Sequence, residues 1–266
     1  MVLRPGPLER LRLRLRGGGL AFSGRYAGWQ EARAAAGAWS DEAILERVAA
    51  AARKVLRGEA AFERDSVAFD RPERPQPLLR SLARAAHAHA GRALSVIDFG
   101  GSLGSAYHQC RPFLPADCAV DWRVVEQPRF VELGRREFSS RALRFFPSVD
   151  EAAAPGAPDL ALASGVLQYL ESPERALAEL ELAGSRFLLV DRTPFSAEAA
   201  DWITVQHVPP SIYPASYPCR VFSWQGFMRR LAPGWRVVEA FPALDGWGSA
   251  EGAWFRFCGL ILERAR

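Results

Sequence analysis

A glycine-rich turn stands where an apolar run in the first half of the chain ends. The run 94–98 is followed by Gly100, Gly101, Ser102 and Gly104. Glycines let a ligand approach the backbone closely, and a helix that begins after such a turn offers backbone N–H groups to a carboxylate or phosphate. The dinucleotide-binding pattern GxGxxG fits poorly, because Ser102 and Ser105 stand where its second and third glycines belong. The turn therefore indicates a cofactor site that need not hold a pyrophosphate.

Polar residues also end two later strand-like runs. Glu126 ends one run, and Ser164 and Gly165 end another. A glutamate at a strand end can accept hydrogen bonds from both hydroxyls of a ribose. Taken alone, these features also fit a surface glutamate and a buried strand that leads into an ordinary helix. Their order after the glycine turn favours a site for an adenosine cofactor.

In this order the segments resemble class I S-adenosylmethionine (SAM) methyltransferases. The acidic-x-G-x-G-x-G loop of that family corresponds here to Asp98, Gly100, Ser102 and Gly104, with serine in place of the middle glycine. The resemblance implies a Rossmann-like fold with SAM as cofactor. It also implies these cofactor-binding residues: Asp98, Gly100, Gly101, Ser102, Gly104, Glu126, Gln127, Ser164 and Gly165.

More narrowly, the chain resembles a bacterial group of methyltransferases that is often associated with polysaccharide or other biosynthetic gene clusters. The segments that carry this resemblance together span nearly everything after residue 20: 22–26 with 29–32, 58–66, 98–104, 125–128, 191–194 and 206–223. Together with the ordered segments 98–104, 126 and 164–170, this leads us to expect a small-molecule or sugar-intermediate acceptor, methylated on oxygen or nitrogen.

Methyl transfer from SAM is an in-line displacement at an activated carbon, so the protein mainly positions the acceptor and excludes water. An oxygen or nitrogen acceptor can also use a base. The candidate catalytic residues are His207, Tyr217 and Asp191. Neutral His207 can take a proton near pH 7, although a lone histidine is more often structural. The ring of Tyr217 can either contact the acceptor or pack under its loop.

Four further residues are candidates for contact with the acceptor: Tyr26, Tyr169, Arg192 and Tyr213. Tyr169 follows the fourth strand of the predicted sheet, beside Gln168. Arg192 follows the fifth strand, where it can bind an acidic substrate or pair with Asp191 or a nearby glutamate. Tyr213 lies in a proline-broken loop, where packing is the alternative to acceptor contact.

The elements that must position these residues are those of an α/β domain. Short apolar runs alternate with helical stretches after residue 92, which predicts a parallel sheet with crossover helices over 93–266. Two final runs, 235–241 and 254–262, joined by a loop at 245–248, predict an antiparallel pair at one edge. We expect a seven-stranded, mostly parallel, Rossmann-like sheet with an antiparallel edge strand.

Residues 21–92 are expected to form an N-terminal helical cap. Ser40, Asp41 and Glu42 indicate a helix start, and a second helix is predicted over 78–89. Phe22, Tyr26 and Trp29 are spaced for one face of a turn or helix, which suggests a lid over the acceptor. The charged triplet 63–65 is too polar for a core, and ion pairing at the surface is the alternative to a lid role.

The chain has 266 residues and a net charge of +4, and this excess lies in residues 1–20, which hold five arginines and one glutamate. Charge balance over the remainder argues against a nucleic-acid partner. Residues 1–20 are predicted to be a basic flexible arm, or else an arm that binds a membrane surface or a partner. They alternate arginine with leucine, which excludes a signal peptide or a membrane span.

The four cysteines show no CxxC pairing, which predicts no metal site and a reduced, cytoplasmic setting. Two other classes of function remain open. One is a NAD-dependent oxidoreductase, and the other is a SAM-binding protein without catalysis. The oligomeric state is also open, as a monomer or a homodimer.

Overall fold

A computed structural model describes residues 2–6, 9, 20–37, 41–87, 93–209, 212 and 214–265. Its first part contains three strands and three helices: β1 (Ala21–Tyr26), α1 (Trp29–Ala35), α2 (Asp41–Leu56), β2 (Phe62–Arg64), β3 (Val67–Phe69) and α3 (Gln76–His87). The predicted helix starts at residues 40–42 and 78 are close to the observed ones. Ser40 and His89 lie outside the described residues.

From residue 94 onward, strands alternate with helices. The elements are β4 (Leu94–Phe99), α4 (Ser105–Cys110), β5 (Val120–Val125), α5 (Pro128–Leu133), β6 (Leu143–Phe146), α6 (Val149–Ala153), β7 (Leu160–Ser164), α7 (Pro173–Leu182), β8 (Phe187–Ser196), β9 (Trp202–His207), β10 (Ser216–Ser223), α8 (Trp224–Leu231), β11 (Trp235–Ala250) and β12 (Ala253–Arg264). A short 3₁₀ helix over Leu167–Tyr169 follows β7.

Seven strands form the central part of the sheet, in the order β6-β5-β4-β7-β8-β12-β11. The pairs from β6 to β8 are parallel, whereas β12 runs antiparallel to both β8 and β11. All seven strands predicted from the sequence are present, and the expected Rossmann-like fold class is confirmed. The strand order reverses at β4, which has β5 on one side and β7 on the other.

Both faces of this sheet are covered, because successive side chains of a strand point to opposite faces. Leu94, Val96 and Val124 belong to one core cluster, which also contains Val48 of α2 and Leu82 of α3. Alternate residues of the same strands form a second cluster with helices α6, α7 and α8, and they include Ile97, Val125, Ala163 and Val190. Helices α2 and α3, which belong to the predicted N-terminal helical cap over 21–92, therefore pack as a layer of the α/β core.

Three further strands extend the sheet beyond its predicted seven. The last two residues of β8 pair with the end of β10, β9 pairs with β10, and β1 pairs with β9. The prediction of a proline-broken loop around Tyr217 is thus wrong, because 216–223 is strand β10. Pro218 is tolerated there because this part of β10 has a strand neighbour on one side only, which leaves an amide position free of the ladder.

Phe22 and Tyr26 lie on β1 and not on a turn or helix, which corrects the sequence-based prediction. Trp29 is the first residue of α1. The ring of Phe22 packs edge-on against Phe255 with centroids 4.9 Å apart. Long-range pairing with β9, invisible in the local pattern, is the reason that this segment is extended.

The loop predicted at 245–248 is part of β11 in the structure. The register of β11 against β12 shifts between Pro242 and Trp247, and Gly246 has a positive φ of 73° there. A bulge therefore takes up these residues, and the chain reverses at Glu251 and Gly252 instead.

Most of the predicted basic arm lies outside the described residues. Its described beginning is not frayed, since Leu3 is 8% exposed and belongs to the second core cluster. The backbone carbonyl of Val2 also accepts a hydrogen bond from Arg256 at 3.4 Å. Within the described part of the chain, no helix is both long and apolar enough to cross a membrane.

Candidate functional site

A cavity of about 800 Å³ opens at the carboxyl ends of the central parallel strands. Asp98 at the end of β4, Ser164 at the end of β7 and Asp191 on β8 line it. The β2–β3 hairpin, β10 and β11 supply further walls. This edge of an open α/β sheet, at the point where strand order reverses, is where such folds bind ligands.

The glycine turn after β4 is shaped by close packing beneath it. A Cβ atom on Gly101 would lie 2.5 Å from Cγ of Asp98, and one on Gly100 would lie 2.5 Å from Cγ2 of Val166. Ser102 has a positive φ of 56°, a conformation that suits the glycine expected at this place. Gly104, with a φ of 86°, ends the turn and packs towards Leu143 outside the cavity lining.

Asp98 is the most buried polar group of the turn, at 2% exposure. Its Oδ2 accepts a hydrogen bond from Nε1 of Trp122 at 3.0 Å. Burial raises the pKa of Asp98 to about 7; the Trp122 bond opposes the increase and the charge of Glu126 adds to it. The carboxylate therefore lies ready for a group that brings positive charge or a proton donor.

Glu126 is tied directly to the glycine turn. Its Oε1 accepts a hydrogen bond from the backbone N–H of Ser102 at 3.2 Å, and its Oε2 accepts one from the backbone N–H of Gln127 at 2.8 Å. Burial raises the pKa of Glu126, while these two bonds lower it. Neither Glu126 nor the exposed Gln127 lines the cavity itself. The turn and the end of β5 thus form one hydrogen-bonded unit.

Asp191 and Gln168 face the cavity from the far side of Ser164 and Gly165, which also line it. Oδ1 of Asp191 accepts a hydrogen bond from the backbone N–H of Arg192 at 2.8 Å, and burial raises the pKa of Asp191 to about 6. Gln168 donates to the carbonyl of Arg192 at 3.1 Å, and its Oε1 is buried without a hydrogen-bond partner among the described residues. The Asp191 carboxylate, which can accept a proton, and the unpartnered Oε1 of Gln168 therefore both lie on this side of the cavity.

Arg192 is held by two aspartates. Its guanidinium makes bidentate contacts with Asp65 of the β2–β3 turn, at 2.6 and 3.2 Å, and with Asp245 of β11, at 2.8 and 3.0 Å. The two carboxylates raise the pKa of Arg192 although burial lowers it. Of the two predicted roles, ion pairing is the observed one, and the partners are Asp65 and Asp245 instead of Asp191 or a glutamate. Arg192 also lines the cavity, so its contact with the acceptor stays a prediction beside the observed positioning role.

Two tyrosines line the cavity near β9 and β10. The hydroxyl of Tyr169 donates to Oε1 of Gln206 at 3.0 Å, and Nε2 of Gln206 lies 3.4 Å from the hydroxyl of Tyr217. The two rings pack edge-on with centroids 5.1 Å apart. Burial raises the pKa of Tyr169, so its hydroxyl stays protonated. These hydrogen bonds fix the hydroxyl groups of Tyr169 and Tyr217 in the cavity wall.

The structure separates two predicted residues from this site. His207 does not line the cavity, and its Nε2 lies 2.7 Å from Oγ of Ser23 on the neighbouring strand. Tyr26 also lies outside the cavity, with its ring over the Cα of Gly24. Strand pairing in β1–β9 directs both side chains away from the cavity, so this geometry does not support the predicted roles of His207 as base and of Tyr26 as acceptor contact. Tyr213 lies outside the described residues.

Sequence reasoning missed Glu63 of β2. The sequence groups it with a charged triplet that is too polar for a core, yet it is 4% exposed and lines the cavity. A signal was present in the two residues that follow it, Asp65 and Ser66, which suit a tight hairpin turn and have φ values of 53° and 69°. Such a hairpin places alternate residues of a short strand on opposite faces, so one charged residue can point inward.

Within the described part of the chain, no group of three His, Cys, Asp or Glu side chains could hold a metal ion. None of the four cysteines, which all fall in described segments, forms a disulfide. The polar side chains that line the cavity are carboxylates, amides, hydroxyls and guanidinium groups.

Neither models of known protein families nor curated proteins give a match to the sequence. Solved structures are similar at low identity. The N-terminal domain of EvdMO1, crystallised with S-adenosylhomocysteine (SAH) and D-fucose, is 16% identical with a TM-score of 0.47, over 80% of this chain and 95% of that one. A SAM-dependent methyltransferase from Clostridium acetobutylicum is 7% identical with a TM-score of 0.48, over 82% and 98%.

The chain is also similar to CalS10 from Micromonospora echinaspora, an amino pentose methyltransferase of calicheamicin biosynthesis whose structure contains SAM. The two are 9% identical with a TM-score of 0.45, over 80% of this chain and 96% of that one. At these values the assignment of a function has to come from the residues of the site.

Proposed function

We propose that this protein is a SAM-dependent methyltransferase that methylates a small-molecule or sugar-intermediate acceptor on oxygen or nitrogen. The observation that carries the proposal is the glycine turn, packed over buried Asp98 and hydrogen-bonded to Glu126 at the head of the cavity. A biosynthetic role in a gene cluster and a cytoplasmic location are finer predictions that accompany this proposal.

The residues present fit this cofactor. SAM carries a sulfonium and an ammonium group, and three cavity carboxylates, Glu63, Asp98 and Asp191, form no ion pair with a described arginine or lysine. Each has a raised pKa because burial disfavours its charge. A cationic ligand offsets that cost. SAM has no phosphate, which agrees with a turn that lacks the dinucleotide glycines.

Each part of the site has a proposed role towards SAM, which when bound supplies an activated methyl group on its sulfonium sulfur. The middle of the SAM molecule, between its adenosine and its amino-acid end, is bound by Asp98, Gly100, Gly101 and Ser102. Gly104 shapes the turn. Glu126, beside Gln127, acts on the ribose side through its hydrogen bond to the backbone of Ser102, and Ser164 and Gly165 line the path towards the acceptor.

Asp191 is the proposed proton acceptor for the group that is methylated. It lines the cavity, and its raised pKa of about 6 leaves it ionised at neutral pH yet basic enough to take a proton. Gln168, Tyr169 and Tyr217 position the acceptor through the unused amide oxygen and the two hydroxyls. Tyr213 stays a prediction for acceptor contact.

Isothermal titration calorimetry with SAM and SAH tests the proposal. We expect the wild type to bind both, and we expect Glu126→Ala to weaken SAH binding about tenfold or more, because a charged hydrogen-bond acceptor is lost. Glu132→Ala, an exposed change on the next helix, serves as the control and should leave binding unchanged.

The alternatives have distinct outcomes. Thermal stabilisation by NAD(H) but not by SAH would replace the proposal with an oxidoreductase. Binding of SAH without methyl transfer to any metabolite in a cell extract supplied with labelled SAM would indicate a non-catalytic protein.

A further inference from the structure

The β2–β3 hairpin brings a carboxylate over the glycine turn from a distant part of the chain. Glu63 on β2 is 4% exposed, and its Oε1 accepts a hydrogen bond from the hydroxyl of Ser105, the first residue after the turn. Both residues line the cavity. Glu63 therefore stands beside the turn that is proposed to hold the cofactor.

The second carboxylate oxygen of Glu63 makes no hydrogen bond to the described part of the protein. Oε2 of Glu63 is buried, and none of the described residues forms a hydrogen bond with it. A buried polar atom without a partner destabilises the fold, more so when it is charged, so such atoms in native proteins call for an explanation. Of the cavity carboxylates Glu63, Asp98 and Asp191, Glu63 is the one with a buried oxygen that no described residue hydrogen-bonds.

Charges nearby do not neutralise Glu63. Burial raises its pKa to about 8 and the neighbouring charge of Asp65 adds to this effect, whereas the backbone of Ser66 and the charge of Arg192 lower it. Arg192 itself is occupied by bidentate contacts with Asp65 and Asp245. A cationic hydrogen-bond donor from outside the protein is the chemistry that would satisfy Oε2.

Contacts within the protein hold the hairpin that carries Glu63. The Arg192–Asp65 pair ties the hairpin turn to β8, and Phe62 stacks on Phe69 with centroids 4.7 Å apart. Because these contacts hold the hairpin in place, little binding free energy is lost in ordering Glu63 when a ligand binds.

We propose that Glu63 binds the α-ammonium group of the amino-acid end of SAM through Oε2, next to Ser105. This inference rests on the proposed function. It assigns the β2–β3 hairpin, which lies outside the glycine turn and the sheet, to recognition of that end of the cofactor.

Calorimetry on the full chain with three ligands tests the assignment. The ligands are SAH, its analogue that lacks the α-amino group, and 5′-methylthioadenosine, which lacks the whole amino-acid end. For Glu63→Gln we expect an increase of about tenfold or more in the Kd for SAH, and no more than a twofold change for 5′-methylthioadenosine. Glu73→Gln is the matched control, because Glu73 also lines the cavity but pairs with Arg64, and it should bind SAH like the wild type.

The analogue makes the test independent of the variant. Wild type should bind it about tenfold or more weakly than SAH, and Glu63→Gln should no longer distinguish the two. If the wild type binds SAH and its deaminated analogue equally, or if Glu63→Gln keeps the full preference for SAH, the assignment to Glu63 is wrong while the proposed function stands. If the wild type binds neither SAH nor SAM, the proposed function itself fails, and the assignment with it.

Discussion

At the scale of single residues, the cavity contains three buried carboxyl groups whose pKa values are raised by burial. Burial raises the pKa of Glu63 to about 8, that of Asp98 to about 7 and that of Asp191 to about 6. In the unfolded chain these groups titrate near pH 4. At neutral pH they are ionised in the unfolded chain, so folding either buries the charge or takes up a proton, and both lower the stability of the ligand-free protein. A cationic ligand recovers that stability.

Asp98→Asn is expected to stabilise the ligand-free protein. The folded pKa of Asp98 lies above the unfolded one, so its penalty is absent below about pH 4, grows as the pH rises, and is complete above about pH 7. The Tm of the variant should exceed that of the wild type by at least about 3 °C at pH 8, and the difference should shrink towards pH 4. Thermal melts followed by circular dichroism measure this, and SAH affinity should fall in the same variant.

Asp121→Asn is the control with the opposite sign. Burial raises the pKa of Asp121, but hydrogen bonds from Arg123 and Arg144 prevail and lower it overall. Its ionised form therefore stabilises the fold above the unfolded pKa, and the variant should be less stable than the wild type at pH 8. A lower Tm for Asp98→Asn at pH 8 would contradict the assigned burial cost.

Methyl transfer should depend on Asp191 and not on His207. A base must be deprotonated, so kcat/KM should rise with pH and level off above about 6, the raised pKa of Asp191. Asp191→Asn should lower kcat about 10²- to 10⁴-fold. The rate is measured with labelled SAM and an acceptor isolated from cell extract. His207→Ala should keep a rate within about threefold of the wild type, because His207 contacts Ser23 outside the cavity. A larger loss of rate in His207→Ala than in Asp191→Asn would instead identify His207 as the base.

At the scale of elements, Arg192 joins three pieces that are far apart in the sequence. It follows Asp191 on β8, binds Asp65 in the β2–β3 turn and binds Asp245 in the bulged part of β11. Its own φ is 51°, a strained value for a side chain of this size. The guanidinium of Arg192 thus links the β2–β3 hairpin and β11, which form walls of the cavity, to β8.

Arg192→Met should cost about 3–5 kcal/mol of unfolding free energy, because it leaves the buried carboxylate of Asp245 without a partner. Asp65→Asn should cost less than about 1 kcal/mol, since the Asp65 side chain is 58% exposed against 10% for Asp245. Urea unfolding measures both changes. Amide exchange over residues 62–69 should accelerate in both variants, since the hairpin loses its tether in each; unchanged exchange in Arg192→Met would exclude the tether.

At the scale of the whole molecule, the sequence predicts what short-range patterns control. The seven central strands and the turn at 100–104 were predictable, because strand periodicity and glycine spacing are local signals. The β1–β9–β10 extension was not, since its pairing joins segments far apart in the chain. The burial of Glu63 and the two partners of Arg192 also depend on tertiary contacts, so the same charged residues looked like a solvated surface in the sequence.

The pairing of β1 with β9 has a consequence for synthesis of the chain. Ser23 and its neighbour His207 on β9 are separated by 184 residues. At about 5–20 residues per second, a ribosome needs roughly 10 to 40 s to reach β9 after β1 has been made. Throughout that time β1 has unpaired backbone groups that another chain can join. The first strand to be translated is therefore one of the last to enter the sheet.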